Sequence, residues 1–215
     1  MSHHTWLHRI VRPAVRPLVG TAVTPNHLTA LRFITGAAAA LLLASGDALW
    51  SDVAGAVFLL SFLLDRADGE LARQSGKISQ SGHRLDLYAD FSANIMVFLG
   101  MGMGLRASAL GGTAVVLGII AGAAIGGIFA VVNRVEQREG RAGFPTVNGF
   151  DPDDGMIFIP LGIWLGGEAY VLAAAAIGAP IFLAWTLWRF RRSLRASPEA
   201  LRDERVLQQR PAVDH

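Results

Sequence analysis

Asp65, Asp68, Asp86 and Asp90 stand within twenty-six residues of one another, directly after the apolar run VAGAVFLLSFLL. On a helix, Asp65 and Asp68 share a side with Gly69, Ala72 and Arg73. Gly82, Asp86 and Asp90 recur every fourth residue and share one face of a following helix. The linking segment QSGKISQS is short, polar and contains Gly76, so the two helices are expected to be antiparallel neighbours. In a regular hairpin Asp65 then faces Asp90, Asp68 and Gly69 face Asp86, and Arg73 lies near Gly82. Four carboxylates converge within about two helical turns. Asp65 and Asp90 lie roughly 12 Å inward from Arg73 and Gly82, at 1.5 Å per residue. One carboxylate at the centre of a membrane helix costs roughly 2.5–3.5 kcal/mol, so four approach about 10–14 without compensation. Arg32 and Arg73 cannot neutralise that alone. Divalent cations can, and a cluster of hard oxygen ligands suits Mg²⁺ or Mn²⁺.

The elements that position these residues are those of a membrane protein. The chain has 215 residues, of which 52% are hydrophobic, a share too high for an ordinary soluble domain. The mean hydropathy of +0.41 agrees. About six membrane-spanning helices are expected, near residues 28–46, 53–73, 84–105, 112–134, 153–167 and 169–190. The fifth is short and ends at Gly166-Gly167. The fold class is therefore all-α, an integral membrane bundle with one catalytic domain over residues 24–192. Residues 1–23, including HTWLHRIVRPAVRPLVG, read as an amphipathic helix on the membrane surface, and 193–215 as a polar tail.

Basic residues set the orientation. Arg9, Arg12, Arg16, Arg73, Lys77, Arg84, Arg134, Arg138, Arg141, Arg189, Arg191, Arg192 and Arg195 all fall on one side, while the other loops hold little beyond Arg106. Positive residues gather on the cytoplasmic side, which places both termini and the acidic site there. The excess of arginine at membrane edges fits anionic headgroups, and no nucleic-acid module is present. The absence of cysteine excludes disulfides and thiolate metal sites. The polar, Arg-bearing start is unlike a cleavable signal peptide, and the six histidines show no zinc-ligand spacing.

The pattern Asp65-x2-Asp68-Gly69-x2-Ala72-Arg73-x8-Gly82-x3-Asp86-x3-Asp90 resembles the signature of the CDP-alcohol phosphotransferases, with every specified position present. The resemblance covers residues 24 to about 190. It implies a two-metal site that binds a CDP-linked alcohol, passes its phosphoalcohol to a hydroxyl acceptor and releases CMP. CDP-diacylglycerol is the expected donor in phospholipid synthesis. A pyrophosphate needs bridging cations, and a metal pair stabilises entering and leaving oxygens. Asp65, Asp68 and Asp86 suit that ligation; the resemblance makes Asp90 both a ligand and the general base. Gly69 and Ala72 permit close approach of the nucleotide, and Arg73 can clamp phosphate. Thr24 and Pro25 make a good helix start. By the same resemblance Asn26, Thr29 and Arg32 beyond it hold the CDP moiety, and Ser79 contacts the donor.

The acceptor is less legible. Arg134, Arg138 and Arg189 would suit a phosphorylated polyol such as inositol phosphate or glycerol phosphate, but also fit the ordinary positive-inside pattern. The run DGELAR resembles members that use inositol phosphate with a soluble CDP-alcohol. Asp151, Asp153 and Asp154 would instead suit a cationic headgroup. The spacing of Gly118, Gly122 and Gly126, and of Gly100 and Gly104, permits close helix contact within the chain or between copies. The resemblance favours a homodimer. A divalent-cation transporter or channel is the alternative class, and a non-catalytic scaffold a third; Arg73 beside the carboxylates argues for a nucleotide site.

Overall fold

The computed structural model describes residues 6–77, 80–139 and 152–195. Ser79, Arg141, Asp151 and the tail from residue 196 lie outside them, as do His3, His4 and His215. At 6–10, 80–81, 83, 139 and 152–154 only the course of the backbone is described.

Eight α-helices occur among the described residues: α1 (Trp6–Val15), α2 (Pro25–Ser45), α3 (Ala48–Ser75), α4 (Gln80–Gly104), α5 (Gly112–Glu139), α6 (Phe158–Trp164), α7 (Glu168–Arg189) and α8 (Arg191–Arg195). Local chemistry explains their limits. Thr24 is extended and Pro25 opens α2, where the His27 side chain accepts the Thr24 N–H at 3.3 Å. Gly46, at φ 73°, ends α2 in the left-handed region that glycine adopts without strain. Asp47 then caps α3 by accepting from Leu49 N–H at 3.0 Å and Trp50 N–H at 3.2 Å. Two residues therefore turn the chain between two long helices.

Four helices, α2, α3, α5 and α7, are long and apolar enough to cross a membrane. The 25 residues of α4 span about 37 Å, enough to cross, but carry the acidic face. The fifth expected segment is a 3₁₀ turn (Pro152–Ile157) followed by the seven residues of α6. Gly162, Gly166 and Gly167 interrupt it, and Gly166 takes φ 67°. Many large apolar side chains point outward, including Leu41, Leu165, Tyr170 and Ile181. Such a surface belongs in lipid. The chain is a multi-pass membrane protein.

The helices pack in the circular order α3, α2, α4, α5, α7, α6, with α6 returning to α3. The expected direct pairing of the two acidic helices is corrected here. α2 packs closely along both, and α3 and α4 are not close neighbours among the described residues. Small residues let α2 in: a Cβ on Gly36 would meet the Ala93 Cβ at 2.6 Å, and one on Gly100 would strike the Ala40 carbonyl. Gly102 and Gly118 bring α4 and α5 together in the same way. Gly122 and Gly126 face Ile95 and Phe91, so the glycine spacing that left dimerisation open is used inside the chain.

These contacts predict a stability difference. Gly100→Ala should lower the melting temperature in detergent, since overpacking costs about 1–3 kcal/mol. Gly178→Ala meets nothing within 4 Å and should be neutral or stabilising. Equal melting of both variants would refute the tight α2–α4 seam.

A helix also forms in the N-terminal segment. Val11 and Val15, one turn apart on α1, are buried with Leu28 and Leu71 while Arg12 is exposed. α1 thus docks its apolar stripe on the cytoplasm-expected end of α2 and α3.

Candidate active site

α2, α3 and α4 each contribute a polar face to one cluster. Asp65, Asp68 and Asp86 each direct a carboxylate oxygen to a common point, all within 4.8 Å of one another. Three hard anionic oxygens at that spacing fit a divalent cation, whose bonds to oxygen are about 2.0–2.1 Å for Mg²⁺, after small side-chain rotations.

Arg32 occupies the centre of the cluster and is buried. Its Nη1 donates to Asp65 Oδ1 at 2.5 Å and to Asp86 Oδ1 at 3.3 Å, and its Nη2 donates to Asp90 Oδ1. One guanidinium therefore links both acidic helices. The Ser61 hydroxyl donates to the Arg32 carbonyl at 2.9 Å, tying α3 to α2 at the same level. Asp68 accepts a bond of 2.7 Å from the Thr29 hydroxyl, which also reaches the Pro25 carbonyl at 3.2 Å. A second buried guanidinium, Arg66, lies 3.6 Å from Asp65 Oδ2 and stacks over the Phe62 ring at 5.2 Å. Among the described residues of the cluster, four carboxylates stand against these two guanidiniums, a net negative charge. That excess is the electrostatic reason to assign cations to the cluster.

The expected residues divide into groups. Asp65, Asp68 and Asp86 converge as predicted. Asp90 is joined to the same cluster through Arg32 but stands outside the closest oxygen triad. Thr29 and Arg32 turn inward onto the carboxylates, whereas Asn26 is exposed on the first turn of α2. Gly69 leaves open surface: a Cβ there would approach only Arg73 Nη1, at 3.6 Å. Ala72 is half-buried beside it, and Gly82 is half-buried in the first turn of α4. Arg73 pairs with Glu70, its Nη2 donating at 2.7 Å and its Nε at 3.2 Å. Glu70 also accepts from Gln74 at 2.9 Å and lies 3.7 Å from Arg12 of α1, so its carboxylate is committed to this edge.

The candidate acceptor arginines have different surroundings. Arg138 donates to the Ser193 and Leu194 carbonyls at 2.9 Å each, capping α8. Arg189 lies over the Phe190 ring at 5.6 Å and lines a groove of about 300 Å³ with Trp188, Arg191 and Arg192. Arg134 is exposed on α5.

Sequence reasoning missed Arg66 and Asn94. The Asn94 amide donates to Asp90 Oδ1 at 2.9 Å. A signal existed, since 82, 86, 90 and 94 continue one helix face at four-residue spacing. Arg66 gave none, because its neighbour Asp65 pointed to the site and a following residue on a helix points elsewhere.

The whole membrane bundle has close counterparts in solved structures. Phosphatidylinositol phosphate synthase of Mycobacterium tuberculosis, in complex with manganese and citrate, superposes with a TM-score of 0.64 at 21% identity. That match covers 83% of this chain and 88% of the other. The same protein with CDP-DAG bound gives 0.63 at 22%, covering 84% and 94%. In sequence, the archaetidylinositol phosphate synthase of Pyrococcus horikoshii is 32% identical over 91 residues, 41% of this chain. The match spans 46% of that relative, less than half its length. Residues 22–188 match the CDP-alcohol phosphatidyltransferase family, and they contain the acidic cluster and every helix that builds it. The chain belongs to the CDP-alcohol phosphatidyltransferase family.

Proposed function

We propose that this protein transfers a phosphatidyl group from CDP-diacylglycerol to a hydroxyl of a polar alcohol, with an inositol phosphate as the favoured acceptor, and releases CMP. The observation that carries this reading is the convergence of Asp65, Asp68 and Asp86 around a residual negative charge, within a chain of this family. The relatives are named as synthases of inositol phosphate lipids, which supports the acceptor class.

In this reading Asp65, Asp68 and Asp86, with Asp90 beside them, hold two divalent cations, Mg²⁺ or Mn²⁺. Bound there, such ions would neutralise the donor pyrophosphate and stabilise the leaving CMP phosphate. The chain's own residues do the rest. Gly69 and Ala72 admit the nucleotide against α3, Asn26 borders its path, and Gly82 keeps the facing turn of α4 narrow; Ser79, outside the described residues, stays an expected donor contact. Arg73 turns from Glu70 to a donor phosphate. Arg32 and Thr29 brace the aspartates and, with Asn26, border the CDP moiety. Asp90 takes the proton from the acceptor hydroxyl. The acceptor oxygen forms the new P–O bond as the bond to the CMP oxygen breaks, and the electron pair leaves with CMP. Arg134, Arg138 and Arg189 are the candidate groups for an acceptor phosphate.

Residues 24–192 form the catalytic domain, 1–23 its membrane-surface segment and 193–215 a polar tail. Both termini and the site face the cytoplasm, in keeping with the arginines at the same end of every long helix. A cation path is disfavoured because Arg32 would place a fixed positive charge in the middle of it.

Arg73→Ala should weaken CDP-diacylglycerol binding by about 1.5–3 kcal/mol, the value of a hydrogen bond to a charged group. Unchanged affinity by calorimetry in detergent would remove Arg73 from the phosphate site. The acceptor is tested by supplying inositol phosphate, glycerol phosphate, inositol or serine with CDP-diacylglycerol and identifying the lipid product by mass spectrometry. Inositol phosphate should give the most product. Product formed only with serine would overturn the acceptor assignment.

A further inference from the structure

Asn94 is a buried amide on α4, one turn deeper than Asp90. A carboxamide in a membrane helix is costly unless its hydrogen bonds are made. Its Nδ2 donates to Asp90 Oδ1 at 2.9 Å, the same oxygen that receives Arg32 Nη2. Two donors from different helices thus converge on one oxygen of one carboxylate. That arrangement fixes rotation about the Asp90 Cβ–Cγ bond and distinguishes the two oxygens. The same groups, with Asp65 and Arg66, line a small cavity of about 10 Å³ on the membrane side of the cluster. This space admits at most a water molecule.

We infer that Asn94 is a positioning residue for transfer, holding the Asp90 carboxylate in the orientation that meets the acceptor hydroxyl. The inference rests on the reading of Asp90 as the base. Asn94 itself touches neither substrate. In the step it serves, the acceptor O–H proton passes to Asp90, the acceptor oxygen bonds to phosphorus, and the P–O bond to CMP breaks. Donor binding depends on Asp65, Asp68 and Asp86 and not on this bond. Loss of the amide therefore acts on turnover and not on donor affinity.

The test is a double-mutant cycle on the full-length protein in detergent, with CDP-diacylglycerol, Mn²⁺ and inositol phosphate. Asn94→Leu has similar volume and no donor. It should lower kcat by roughly tenfold to a hundredfold, with unchanged donor affinity by calorimetry. Added to Asp90→Asn it should cost nothing further, because the two act as one unit. Asn94→Gln keeps the amide and should retain more turnover than Asn94→Leu. If Asn94→Leu does not assemble, Asn94→Ala, which removes the amide without adding bulk or charge, takes its place and should show the same loss. Wild-type kcat in Asn94→Leu (or in its replacement), or an equal loss in both backgrounds, would overturn the inference and leave the base reading standing. Near-normal turnover of Asp90→Asn would overturn both.

Discussion

Stripping divalent cations from the purified protein should abolish CMP release, and Mg²⁺ or Mn²⁺ should restore it. The size of this effect follows from charge. Asp65, Asp68 and Asp86 bring oxygens within 4.8 Å of one another, with Asp90 joined to them through Arg32. Two unit charges about 4 Å apart repel by about 4 kcal/mol at an effective dielectric constant of 20. Arg32 and Arg66 offset only part of the total, and a donor pyrophosphate adds further negative charge. Without cations the donor is repelled by the groups meant to receive it. Chelator should therefore remove both donor binding and turnover. Full turnover in metal-free buffer, with residual metal excluded by elemental analysis, would sink the metal assignment.

Asp90→Asn separates binding from chemistry. Asparagine preserves the size and one coordinating oxygen but has no useful affinity for a proton. Catalysis should fall by roughly 10²–10⁴-fold, the usual contribution of a general base. Donor affinity should fall much less, because the closest oxygen triad excludes Asp90. Paired measurements of kcat and donor Kd decide the matter. Retained binding with lost transfer supports the base assignment, lost binding makes Asp90 a structural part of the metal site, and near-normal turnover gives the proton to another group.

The parts of the site that were legible in the sequence were those fixed by helix periodicity. Asp65 with Asp68, and Asp86 with Asp90, needed only three- and four-residue spacing to share their faces. The α2–α3 turn was not read: spans near 28–46 and 53–73 left a longer loop, where Gly46 and Asp47 alone turn the chain. What also escaped was how α3 and α4 sit relative to each other. Their short connection brings the ends together but says nothing of splay, and α2 enters between them because Gly36, Ala93, Ala40 and Gly100 are small at the contacts. That packing adds contacts for Arg32 and Thr29 that the chain order does not show, since both hydrogen-bond to the aspartates. Arg138 shows the same limit, since only tertiary structure places the carbonyls of α8 beside it.

In the proposed reaction the acidic cluster joins a CDP-linked lipid and an alcohol in one stoichiometric exchange. The direct measurement is simultaneous quantification of CMP and lipid product from purified protein given CDP-diacylglycerol, inositol phosphate and Mn²⁺. Equal amounts of the two should appear, with neither formed when donor, acceptor or cation is omitted. Absence of CMP and lipid product under all conditions, together with cation-dependent ion flux by the same preparation in liposomes, would contradict the account.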